Sequence, residues 1–126
     1  MDKKIILTPR APQPIGPYSQ AIDTGPLIFI SGQIPLDPKT GAIVGSTIQE
    51  QAEQALKNLL AILASQSLDA SALVMTTVFL KSMADFQAFN AVYEKGLSGW
   101  KPARSVVEAA GLPKNVLVEI EAVACR

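Results

Sequence analysis

Residues 116–125, "VLVEIEAVAC", set the tightest limit on what this chain can fold into. The even positions, Val116, Val118, Ile120, Ala122 and Ala124, are all apolar, while the odd positions, Leu117, Glu119, Glu121, Val123 and Cys125, mix apolar side chains with two carboxylates. Alternation with period two is the mark of a strand with one face in a core. The dry face needs helices over it. The mixed face is neither the polar face of a solvated sheet nor a second dry core. It suits a sheet that packs on another copy of itself.

The helices are legible upstream. Residues 47–67, "TIQEQAEQALKNLLAILASQS", put Ile48, Ala52, Ala55, Leu56, Leu59, Leu60 and Leu63 on one face, with Gln51, Gln54, Lys57 and Asn58 opposite. Thr47 and Glu50 have the spacing of a capping box. Residues 85–97, "DFQAFNAVYEKGL", form a second amphipathic helix with a stripe of Phe86, Phe89, Tyr93 and Leu97, and Gly99 and Pro102 stop it. Strands are expected in "IILT", "YSQAID", "LIFISGQIP", "LVMTTVFLKS" and "ARSVVEAA", with an exposed loop around Pro35, Asp37, Pro38 and Gly41. The order strand, strand, strand, helix, strand, helix, strand, strand predicts an α+β layer with two helices on one face of a sheet. A length of 126 residues fits a single domain over 1–126.

Composition narrows the chemistry. The chain has no histidine, one cysteine (Cys125) and zero formal net charge. Without histidine there is no Ser-His-Asp or Cys-His nucleophile and no histidine-ligated metal. Acid–base work would fall to carboxylates, Tyr, Lys or water. No basic cluster marks a nucleic-acid binder, so nucleic acid is disfavoured as a partner. "LLAILA" is too short to span a bilayer and the start lacks a secretory h-region, so a cytoplasmic protein without a membrane partner is expected.

Several polar residues stand out at strand or helix positions. In "PARSVVEAA", Arg104, Val106 and Glu108 share one strand face. A guanidinium at a sheet seam either pairs with a carboxylate, such as Glu108 or one on a neighbouring strand, or anchors a substrate carboxylate through its bidentate fork. Glu119 is either an arginine's partner or, desolvated beside a pocket, a group that positions and deprotonates water. Tyr18 after "IGP" is a surface phenol, a core-edge residue or a ligand-orienting hydroxyl. Ser31-Gly32-Gln33 puts a glycine inside a strand, where a bulge or a close approach is the usual reason. Asn90 on the second helix either faces water or reaches a ligand.

Taken together, "IGPYSQA", "ISGQIP", "TTVFL", "FNAVYE", "PARSVVEAA" and "LPKNVLVEIEAVA" resemble, in this order and over nearly the whole chain from about Pro14, the reactive intermediate deaminase family, RidA or YjgF. The resemblance implies a chorismate-mutase-like α+β fold and a homotrimer whose sheets form a central barrel, with active sites in clefts between subunits. It implies hydrolysis of 2-enamino and 2-imino acids, such as 2-aminoacrylate and 2-iminobutanoate, to 2-oxo acids and ammonia, with no cofactor and no metal. Carried over by motif, Arg104 binds the substrate carboxylate and Glu119 helps activate the attacking water. Tyr18, Ser31, Gly32 and Asn90 line the pocket. Val106 stands where many members have cysteine, and its expected contribution is a backbone carbonyl to the bound nitrogen. The alternatives are a non-catalytic module that binds small carboxylates and an RNA-directed activity.

Overall fold

The computed structural model describes residues 2–126. Its elements follow the expected order: β1 (Lys4–Ile6), β2 (Ala21–Asp23), β3 (Leu27–Gln33), α1 (Ile48–Ala64), β4 (Leu73–Leu80), α2 (Phe86–Gly96), β5 (Ala103–Glu108) and β6 (Val118–Cys125). The strands form one mixed sheet in the order β1-β2-β3-β6-β4-β5. Every pairing is antiparallel except β4 with β5. A parallel pair needs a crossover, and α2 supplies it. Among the described residues no helix is long and apolar enough to cross a membrane.

The alternation in β6 is realised. Val116, just before β6, and Val118, Ile120, Ala122 and Ala124 are all buried, the last four in one core with Leu56, Leu59 and Leu63 of α1 and Phe89 of α2. The capping box at the start of α1 is formed, with Glu50 N–H donating to Thr47 Oγ1 (3.2 Å) and Thr47 N–H to Glu50 Oε1 (3.3 Å).

Three expectations change. Gln51 and Asn58, expected on the solvent face of α1, are buried. Asn58 Nδ2 donates to the carbonyls of Ile34 (3.0 Å) and Leu36 (2.9 Å), and its Oδ1 accepts from Gln54. Gln51 takes Leu117 N–H on its Oε1 and donates to Gly45 O. These amides satisfy backbone groups of a loop that is itself partly buried, since Pro35 and Leu36 are packed inside rather than exposed. Asn58→Ala would leave the Ile34 carbonyl with Leu36 N–H alone and the Leu36 carbonyl with a 3.4 Å contact from Gln54. It should cost about 1 to 2 kcal/mol, visible as a lower urea midpoint at fixed protein concentration; an unchanged midpoint would mean the loop holds itself.

The second change is in "YSQAID", where only Ala21–Asp23 is a strand. Gln20 instead turns its side chain into the preceding loop, accepting from Thr8 N–H and donating to the carbonyls of Thr8, Ala11 and Pro12.

The third change concerns faces. Thr76 of β4 pairs with Arg104 on one side and Ala122 on the other, and Val78 pairs with Val106 and Ile120. Arg104 and Val106 therefore lie on the helix side of the sheet. The mixed face of β6 continues instead through Phe79, partner of both Val107 and Glu119. That open face carries apolar side chains with nothing over them, among them Phe29 at 47% exposure and Val107 at 43%.

Candidate active site

Arg104 lies on β5, the edge strand, under the flank of α2. Its Nη1 donates to Asn90 Oδ1 at 2.8 Å. The guanidinium carbon stands 4.9 Å from the centre of the Tyr93 ring and 5.7 Å from that of Phe86, distances at which a cation is drawn to an aromatic ring. One turn of helix separates Phe86, Asn90 and Tyr93, so a single face of α2 supplies all three contacts. Tyr93 is fixed in turn by a 2.6 Å hydrogen bond with Thr76 Oγ1. Burial pushes its phenol upward against the smaller effects of Thr76 and Arg104, so it is a neutral platform beneath the cation.

No carboxylate among the described residues pairs with Arg104. Glu108, the expected partner, accepts Met83 N–H on its Oε1 (2.8 Å) and so ties the start of the α2 crossover to β5. The ion pair found is Arg126 with Asp23, at the other end of the sheet. Arg104 opens instead on a cleft of about 380 Å³ lined also by Asn90, Tyr93, Trp100 and Pro102. A positioned guanidinium with one polar contact and free N–H donors suits a carboxylate ligand.

Val106 is two residues further along the same edge strand, its side chain against the core. Ala109 N–H donates to Leu80 O. Backbone groups of successive strand residues point alternately to either side, so the odd residues of β5 bond β4. The carbonyls of Arg104 and Val106 therefore face the unpaired edge.

Glu119 is on the open face of β6. The glycine it faces explains "ISGQ". The register of β3 on β6 shifts between Ile30 and Gln33, a bulge that turns Gln33 into the core. At Gly32 a Cβ would overlap Glu119 Oε2 and stand 2.8 Å from Cδ. Both readings of the glycine hold, a bulge and a close approach. The carboxylate is partly buried, and that burial, helped by the charge of Glu121, holds its pKa above the ordinary glutamate value.

Gly32 also borders a small recess with Tyr18, Gln20 and Ile15. Tyr18 is 51% exposed, with its hydroxyl 3.5 Å from Ile15 N. Ser31 donates its hydroxyl proton to Ser19 O (2.6 Å), and its N–H goes to Gln20 O (2.9 Å). Its role in the chain is to lash the Tyr18 loop to β3, leaving the hydroxyl oxygen as an acceptor only.

The named residues thus fall into two groups. Arg104, Asn90 and Val106 meet at the β5 edge on the helix side; Glu119, Gly32, Ser31 and Tyr18 meet on and beside the open face. Within one chain Arg104 and Glu119 lie on opposite faces of the sheet and cannot act on one small molecule. Sequence reasoning misses Tyr93, Phe86 and Trp100 as site residues. The spacing of Phe86, Asn90 and Tyr93 on one helix face was the available signal.

Known proteins share this arrangement of elements from end to end. The family model described as Endoribonuclease L-PSP matches residues 8–126. A RutC family protein of Pyrococcus horikoshii is 51% identical over 97% of both chains. The 2-iminobutanoate/2-iminopropanoate deaminase of Salmonella typhimurium is 48% identical over 98% of both. Among solved structures, E. coli TdcF with bound serine is 44% identical, with a TM-score of 0.92 over 98% of each chain. With the sheet order, the bulge at Gly32 and the PARS strand all in place, the chain belongs to the RidA family, also called YjgF and described as Endoribonuclease L-PSP.

Proposed function

We propose that this chain hydrolyses 2-imino and 2-enamino acids to 2-oxo acids and ammonia, at sites shared between copies in a homotrimer. The observation that carries the reading is the guanidinium of Arg104, oriented by Asn90 and two rings and lacking a carboxylate of its own. The likeness to the Salmonella deaminase supports the same substrate class. A shared site is favoured by the separation of the two groups, since a second chain whose β5 edge met the open face of the first would bring its own Arg104 to the Glu119 of the first. The uncovered apolar side chains of that face favour such a contact.

The chemistry asks little of the protein. A protonated imine is already electrophilic at C2. Arg104 holds the substrate carboxylate, and the outward carbonyl at Val106 accepts an N–H of the cationic nitrogen. Glu119 takes a proton from the attacking water, whose oxygen bonds to C2. Glu119 then passes that proton to the nitrogen, the C–N bond breaks with its electron pair leaving on ammonia, a lone pair of the new hydroxyl oxygen closes the carbonyl, and the hydroxyl proton, taken by Glu119, leaves on the ammonia as ammonium. One water is consumed; one 2-oxo acid and one ammonium are released.

The test generates 2-iminopropanoate with an amino-acid oxidase and traps what remains with semicarbazide. The protein at micromolar concentration should lower the semicarbazone yield, and sedimentation of the same sample should give a three-chain mass. An unchanged yield with intact binding of pyruvate would replace the deaminase by a carboxylate-binding module. A one-chain mass would remove the shared site.

A further inference from the structure

Trp100 has no part in the chemistry above, yet it is unusually well fixed for an exposed side chain. It is 45% exposed. Its indole Nε1–H donates to Leu73 O at 2.9 Å, at the start of β4. Its backbone is held by the turn that ends α2: Ser98 and Gly99 are left-handed (φ 54° and 82°), Gly99 N–H donates to Glu94 O, and Trp100 N–H to Leu97 O. The indole is thus locked at both ends. It borders the Arg104 cleft on one side and a hollow of about 400 Å³ beside Asp69 and Ser71 on the other, so it is the partition between them.

The cleft is larger than a three- or four-carbon imino acid needs. At about 380 Å³ it lies in the range that holds much bigger ligands, ~300 to 1,000 Å³. Arg104 fixes the carboxylate end, so the surplus space takes the substrate's side chain. That space is bounded by the rings of Trp100 and Tyr93 and by Pro102. Its charged groups are Lys101 and Glu94, one of each sign. The two cancel, so these walls give a charged side chain no net complement, and the ring faces are what remains for a side chain to contact.

We propose that Trp100 is the specificity-determining wall of this cleft, and that the cleft takes 2-imino acids with a neutral aromatic or branched side chain. The proposal rests on the deaminase reading for its substrates, but its binding test does not. Trp100 is the chain's one tryptophan, so its emission reports on the wall directly. Two unreactive carboxylates serve as probes, 3-phenylpropanoate and propanoate. The first should shift the emission saturably and the second should not. In turnover, the ratio of kcat/KM for the imine of phenylalanine to that of alanine should fall about tenfold in Trp100→Ala. Trp100→Phe, which keeps a ring, should recover most of the ratio. Emission unmoved by 3-phenylpropanoate, or a ratio unchanged in Trp100→Ala, overturns the proposal; the first result points to a wall covered by another copy. A saturable shift with 3-phenylpropanoate but no turnover of any imine upholds the wall as a ligand contact while sinking the deaminase.

Discussion

Arg104→Lys should lose most of the deaminase rate, about 10- to 100-fold in kcat/KM, while the chain remains folded and assembled. Lysine keeps the charge but not the planar fork that grips two carboxylate oxygens. Losing a charge-assisted contact costs about 1.5 to 3 kcal/mol, and a tilted carboxylate moves C2 away from the water. Arg104→Ala should do at least as much damage. The stability change should be small, because Arg104 has no structural ion pair to lose; its contacts in the chain are Asn90 and two rings. A partly exposed contact of cation and ring is worth about 0.5 to 1 kcal/mol. Tm and rate therefore separate the two roles of the arginine. A strongly destabilised Arg104→Lys with full turnover per folded chain would make it a structural residue after all.

How much of this was legible in the sequence follows from where the information lay. The alternation in β6 and the capped stripe of α1 are local patterns with long runs, and both took the expected form. The face of Arg104 was not legible. Strand β5 has apolar residues at both parities, Val106 on one and Val107 on the other, so period two cannot say which side is dry. Only its register on β4 decides. Gln51 and Asn58 look like solvent residues for a related reason. An amide on a helix looks like a solvent residue until a distant loop turns carbonyls towards it, here those of Ile34, Leu36 and Gly45. Gly32, in contrast, announced itself, because a glycine within a strand of Ile, Phe and Ile weakens pairing unless something needs the space. The sequence offers Asn90 to water or to a ligand, and the structure gives it to Arg104 instead.

Glu119→Gln should depress kcat by about 10²- to 10⁴-fold, the usual weight of a positioned acid–base group, and leave the affinity for a 2-oxo acid near that of the unaltered protein. The same substitution should raise stability at neutral pH. Burial first, and the charge of Glu121 second, hold the Glu119 pKa above the ordinary 4.5. Between that value and the raised one the folded chain binds more protons than the unfolded chain, so stability falls as pH rises through the window. Above the window the folded protein carries an unfavourable carboxylate that glutamine lacks; below it both are neutral. The Tm advantage of Glu119→Gln should therefore be present at neutral pH and vanish as pH drops below the ordinary glutamate value. The rate runs the other way. The base works only when ionised, so turnover should be lost as pH falls through the raised pKa, on a limb higher than an exposed glutamate would give. Glu121→Gln should move that limb down. Gly32→Ala offers an independent displacement, since its methyl overlaps the Glu119 carboxylate and must push it aside. It should cost turnover without touching Arg104. A Glu119→Gln variant that is less stable at neutral pH and still fully active would mean that the carboxylate is a structural partner, and that the water is activated elsewhere.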